Sequence, residues 1–125
     1  MFTVALAVLV VLAILYLTPL VFYGVGSRFI EMPSPDRVGP QRFLLGILVT
    51  KLGTAIAFVV LFWLSREVWA ARWLLYSLVW FIMFAASELG DRISGRATAP
   101  EALLGVFSEA VYAPLSAWTV AALLK

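Results

Sequence analysis

FTVALAVLVVLAILYLTPLVFY, residues 2–23, carries no charged side chain from Phe2 to Tyr23. At a rise of about 1.5 Å per residue, a helix of this length matches the roughly 30 Å hydrocarbon core of a bilayer. The stretch predicts a membrane-spanning helix. A secretory signal would open on a basic region, hold a shorter apolar core and end in small residues before a cleavage site. Here the start is uncharged and the apolar run continues to Pro19 and beyond, so a retained helix is expected.

The rest of the chain offers no polar shell to wrap such a helix. Of 125 residues, 64% are apolar and 13% charged, and the mean hydropathy is +1.05. Soluble domains carry about 25% charged and 45–50% apolar residues. That composition excludes a water-soluble globule, and it is too apolar for a disordered chain. Three further apolar segments follow: Gln41 to Leu64, broken by Lys51; Ala70 to Leu89, with Glu88 near its end; and Ala99 to Leu124, broken by Glu109. The expectation is an all-α fold, an integral membrane antiparallel four-helix bundle forming one transmembrane domain over residues 1–125.

The connections are short. The longest, "GVGSRFIEMPSPDRVGP" (residues 24–40), is dense in turn formers, and Phe29, Ile30 and Met32 within it are expected to lie along the membrane interface. In "SREVWAARW" (residues 65–73), Trp69 and Trp73 read as aromatic belt anchors. "GDRISGRATAPE" (residues 90–101) ends in Thr98 three residues before Glu101, a capping box with Pro100 in the first turn.

Orientation follows from the basic residues. Arg28, Arg37, Arg42, Arg92 and Arg96 fall at the first and third loops, against Arg66, Arg72 and Lys125 at the second loop and C-terminus. The bias places loops one and three in the cytoplasm and both termini outside. The inner membrane of a bacterial or archaeal cell is the expected location.

The chain has neither cysteine nor histidine. Disulfides, thiolate catalysis, cysteine-held zinc, iron–sulfur clusters and histidine-ligated metals or haem are therefore excluded, and no metal or cofactor is expected. The net charge of +2 is spread over loops, which speaks for membrane orientation and not for nucleic-acid binding.

Charged residues within apolar helices are the informative ones, since each costs about 2.5–3.5 kcal/mol at a helix centre on insertion scales. Lys51 lies roughly 13 Å along its helix from Arg42, and Glu109 roughly 12 Å along its own from Glu101. Counted from the same face, their depths match and their charges are opposite. Thr18 and the shallower Glu88 fall in the same half, with Asp91 and Arg92 at the surface. Ile47, Thr50, Lys51, Thr54 and Phe58 share one helix face, as do Gly105, Glu109, Tyr112 and Ser116. Lys51, Glu109, Glu88, Thr18, Thr50, Thr54 and Tyr112 are thus expected to line a polar pocket open to the cytoplasm. Three readings stand beside one another for Lys51 and Glu109: a structural ion pair, a ligand, ion or proton site, or snorkelling apart. The hydroxyls are also open to satisfaction by their own helix.

Pro19 and Pro114 each remove a backbone donor, leaving the carbonyls of Leu15 and Ala110 unbonded. Such carbonyls either mark an ordinary kink or serve a ligand. Gly39, Gly46 and Gly53 recur every seven residues, with Ala57 a turn beyond, and read as a small-residue stripe for close helix packing, inside the bundle or between copies.

"YLTPLVF" (residues 16–22) and "SEAVYAPLS" (residues 108–116) resemble the helix-one end and helix-four motif of a family of four-span bacterial membrane proteins of unknown function. Length and helix spacing fit as well. The family has asparagine where Glu109 stands, histidine where Ala113 stands and an aromatic where Leu17 stands. The resemblance implies the four-helix fold and supplies no mechanism.

Three functions are open at this level. A small transport-like or ion-binding protein, a homo-oligomer in the lipid bilayer, would use Lys51 and Glu109 as its coupling site. An accessory or assembly subunit would present Trp63, Trp80 and Trp118 to a partner membrane protein or to lipid. A membrane enzyme acting on a lipid or quinone would draw acid–base groups from Glu88, Asp91 and Glu109 and phosphate contacts from Arg92 and Arg96; no nucleophile or nucleotide motif supports it, and no catalytic residue is assigned.

Overall fold

The computed structural model describes residues 2–26, 28 and 40–124, and the regular structure among them is entirely helical. The helices are α1 (Phe2–Gly26), α2 (Pro40–Leu64), the short α3 (Arg66–Trp69), α4 (Trp73–Ile93) and α5 (Ala99–Leu123). Four of them, α1, α2, α4 and α5, are long and apolar enough to cross a membrane. Phe29, Ile30, Met32, Arg37, Gly39 and Lys125 lie outside the described residues.

The third long helix starts and ends later than the hydrophobic pattern predicts. Residues 66–69 form a helical turn of their own, and α4 runs past Leu89 through Gly90, Asp91 and Arg92. Hydrophobicity fades there, but nothing prevents the helix from continuing until Gly95, whose φ of +81° ends it. The Arg96 N–H returns to the Asp91 carbonyl at 2.8 Å and the Gly95 N–H to Arg92 at 3.3 Å, a Schellman closure that satisfies the last carbonyls. An exposed Asp91–Arg96 ion pair at 3.3 Å spans the same turn. At the start of α5 the Thr98 hydroxyl accepts from the Glu101 N–H at 3.3 Å, while the Glu101 carboxylate accepts from the Thr98 N–H at 2.9 Å. This is the capping box read from the sequence.

Packing centres on α5, the most enclosed of the long helices. It lies against α4 and α1, and α1 lies against α2. Its inward face is built from small residues, Gly105, Ser108, Ala113, Ser116, Ala117 and Ala121, which bring neighbouring backbones close. α1 supplies a fully buried stripe at one-turn spacing, Ala7, Val11 and Leu15. The Gly26 end of α1 is pressed against α5 as well: a Cβ built there would fall 2.5 Å from a Leu104 methyl.

Where α2 meets α4, aromatic rings close the bundle. Phe58 and Phe62 on α2 stand edge-on to Tyr76 at 5.0 and 5.1 Å between centroids, and Phe58 and Phe84 flank Trp80 at 5.2 and 5.7 Å. Such tilted pairs suit the ring quadrupole. The Tyr76 hydroxyl donates to the Phe58 backbone carbonyl, binding the two helices directly.

Two expectations are corrected here. Trp80, read as facing a partner or lipid, is only 9% exposed and belongs to the core, and Trp63 packs partly against it; Trp118 alone of the three is exposed, at 55%. Trp69 and Trp73, read as belt anchors, stand at the end of α3 and the start of α4 and pack partly against the core there, with Trp69 5.4 Å from the Tyr76 ring. Of the two settings read for the stripe on α2, inside the bundle or between copies, the first does not hold: Gly46 and Gly53 are exposed, and a Cβ on either would meet nothing within 4 Å. Close packing inside the bundle falls at Gly26 and Gly105 because those glycines face α5 and α4, whereas Gly46 and Gly53 point outward.

Replacing Tyr76 by Phe keeps the ring contacts and deletes the bond to Phe58. In a detergent unfolding titration this variant should lose about 0.5–1.5 kcal/mol. Tyr76→Ala also empties the aromatic cluster and should lose about 3 kcal/mol or more. Equal stability of Tyr76→Phe and wild type would mean that the hydroxyl does not hold α2 to α4.

Candidate functional site

The charged side chains within the long helices lie in the half of the bundle that carries the first and third loops. α2 contributes Lys51, α4 Glu88, α5 Glu109 and Tyr112, and α1 Tyr23. The helical spacing of α5 explains its share: Gly105, Glu109, Tyr112 and Ser116 lie on one stripe, and all four are buried. α2 reaches the same interior with Lys51, because Lys51, Ala55, Phe58 and Phe62 recur at one-turn steps and the last three are fully buried.

Lys51 does not close an ion pair with Glu109; the only ion pair within 4.0 Å among the described residues is the exposed Asp91–Arg96 contact. The Lys51 ammonium stands over the Tyr112 ring instead, 4.9 Å from its centroid, in a cation–π contact. Tyr112 is further fixed by an edge-on contact with Phe84 at 5.5 Å.

Glu109 is 4% exposed. Its Oε2 is buried with no hydrogen-bond partner among the described residues, as is the Ser116 hydroxyl. The carboxyl group of Glu88 is its neighbour from α4, reaching α5 one turn before Glu109. Glu88 gets there through a gap in α5: a Cβ added to Gly105 would lie 2.5 Å from the Glu88 Cδ and Oε1 and 2.7 Å from Oε2. Only a residue without a side chain leaves that carboxyl its place. On the α1 side, the Tyr23 hydroxyl donates to the Glu101 backbone carbonyl at 3.1 Å, fastening the end of α1 to the first turn of α5.

Lys51, Glu88, Glu109 and Tyr112 are thus brought together. Thr50 and Thr54 are satisfied on their own helix, donating to the carbonyls of Gly46 and Thr50 at 3.1 Å each, and Thr50 is exposed. Thr18 is half-buried on α1. Sequence reasoning passed over Tyr23, although an aromatic hydroxyl one turn from a helix end is a signal for such a fastening. Gly105 was placed on the right face but not recognised as the room for Glu88, since that requires knowing which residue of α4 lies opposite.

A cavity of about 310 Å³ lies between α4 and α5, lined by Leu74, Ser77, Leu78, Phe81, Ala110 and Pro114. It is apolar, sits at Pro114 of α5 and includes none of the clustered polar residues. Ser77 donates to the Leu74 carbonyl of its own helix at 2.8 Å. Among the described residues no set of three acidic, histidine or cysteine side chains is arranged to hold a metal ion.

Comparison with family models, with characterised proteins and with solved structures returned no match. The site is therefore read from its own chemistry.

The contact at Gly105 is testable by a double-mutant cycle with Gly105→Ala and Glu88→Ala. Alanine gains about 1 kcal/mol of helix propensity over glycine, but beside Glu88 it displaces the carboxyl. Gly105→Ala should therefore be neutral or destabilising in wild type and stabilising in the Glu88→Ala background, a coupling of about 1 kcal/mol. Additive effects would show that the two residues do not share this space.

Proposed function

We propose that the chain is an integral membrane protein whose four long helices run antiparallel across the bilayer, and that the cluster of Lys51, Glu88, Glu109 and Tyr112 binds a small ion or ligand in a transport-like role. The lengths and apolarity of α1, α2, α4 and α5 support the membrane setting, and the short turns after α2 and α4 support alternation of direction. One observation carries the functional reading. Glu109 is almost wholly buried with an unpartnered carboxyl oxygen, while the nearby ammonium rests on a ring. A pair kept only for helix register would be closed on itself, since breaking a buried pair costs about 3–5 kcal/mol. An open acceptor among a lysine and a second carboxyl is what a binding site requires.

The reading is tested by reconstituting the protein in liposomes and following proton and monovalent-cation flux with an entrapped pH dye and with light scattering. Lys51→Met and Glu109→Gln should each abolish flux while the purified variants keep their helix content and elution position. Loss of folding in both, or wild-type flux in both, would defeat the assignment of a binding role.

The same reading places loops one and three in the cytoplasm, with exposed Arg28, Arg92 and Arg96 on that side and Arg66 and Arg72 on the other. Because the chain has no cysteine, single cysteines report sidedness directly. Ala71→Cys should react with a membrane-impermeant maleimide added to intact cells, and Ser94→Cys should react only after the membrane is opened. The reverse pattern would invert the topology.

A further inference from the structure

The cluster holds two carboxyl groups against one ammonium. Glu88 from α4 brings its carboxyl to α5 at Gly105, one turn before Glu109 on the same buried stripe, and Lys51 from α2 stands over Tyr112, the next residue of that stripe. The other titratable groups around them are Tyr23 on α1, Tyr112 and Glu101 on α5, and Asp91 on α4. Glu101 is held in the capping box and Asp91 pairs with Arg96; both are themselves acidic, so neither can offset the interior negative charge. The Tyr23 hydroxyl donates its hydrogen bond to the Glu101 carbonyl.

Ionised carboxylates are acceptors only, so two of them side by side have nothing to share. The Oε2 of Glu109 has no donor among the described residues and is shut away from solvent. With both carboxyls ionised the cluster would carry one uncompensated negative charge in an apolar interior. Carboxyl groups forced together in this way hold one proton between them. We propose that the ligand of this site is a single exchangeable proton, shared between Glu88 and Glu109, with the Lys51 ammonium balancing the second carboxyl. The inference rests on the binding role proposed above and names its occupant.

The step balances without a co-reactant. A proton enters as an O–H on one carboxyl and donates to the facing oxygen of the other; on release the dyad carries two negative charges against one positive. Gly105 keeps the Glu88 carboxyl in range, and Glu88, the half-buried partner nearer the loop, is the group through which the proton is exchanged.

Charge counting distinguishes three variants. Glu88→Gln or Glu109→Gln leaves one carboxylate facing one ammonium, a balanced pair that needs no proton. Lys51→Met leaves two carboxyls and no ammonium, so a proton is retained. Infrared spectroscopy of the full chain in phosphatidylcholine liposomes at neutral pH, in H2O and D2O, reads this directly. Wild type should show a protonated-carboxyl stretch that shifts in D2O. The band should be lost in Glu88→Gln and in Glu109→Gln and persist to higher pH in Lys51→Met. Absence of the band in wild type, or its persistence in both glutamine variants, would overturn the proposal. A band present in choline buffer and absent in sodium buffer would make a metal cation the occupant and overturn it equally. The wild-type spectrum stands even where a variant fails to fold. It is taken on protein at rest, so its outcome is independent of whether flux is seen.

Discussion

A carboxyl group cannot be carried into an apolar interior without partners, and Glu109 sits in the middle of the most enclosed helix. Much of the bundle's arrangement at that end follows from this constraint. α5 turns its polar stripe inward, α4 brings Glu88 to it, α2 brings Lys51 within reach and α1 fastens its end to α5 through Tyr23. Each of the four long helices therefore has a reason to occupy its place that burial of apolar surface alone would not supply. In lipid that reason matters more, because the tails are as apolar as leucine and association depends on packing and polar contacts.

Small residues make the convergence possible. Gly105, Ser108, Ala113, Ser116, Ala117 and Ala121 thin the inner face of α5, and Gly26 and Gly105 remove side chains where α1 and α4 come closest. The carboxyl of Glu88 occupies the volume that any side chain at position 105 would claim. Packing and chemistry are thus joined at one backbone position: the close approach there sets both the distance between α4 and α5 and the placement of the second carboxyl.

The four spans, their approximate limits, the capping box at Thr98 and the shared stripe of Glu109 and Tyr112 were legible from the sequence, because each depends on residues a few positions apart. Azimuth was not. α1 and α2 are apolar nearly all round, so hydrophobic periodicity cannot distinguish a face that meets a neighbour from one that meets lipid. Hence Gly46 and Gly53, a regular stripe, face outward, while Gly105, a single glycine, marks the close contact. Trp80 was equally ambiguous, since a tryptophan on an apolar helix suits the aromatic core as well as the outer surface. The pairing of Lys51 with Glu109 by depth put both in the right region, with Tyr112 beside them, and missed the contact of the ammonium with the Tyr112 ring, one turn beyond Glu109.

The two halves of the bundle are held by different forces, and this bears on which of them can respond to a ligand. Around Tyr76, Phe58, Phe62 and Trp80, rings interlock at fixed angles and a hydroxyl binds α4 to the backbone of α2, so movement there would break several contacts at once. Around Glu109 the contacts are fewer, and their strength depends on charge: a carboxyl dyad, an ammonium on a ring and one hydroxyl on a carbonyl. Adding or removing one proton changes the net charge of that half, and Phe84, which touches both Trp80 and Tyr112, is the ring that joins it to the aromatic half.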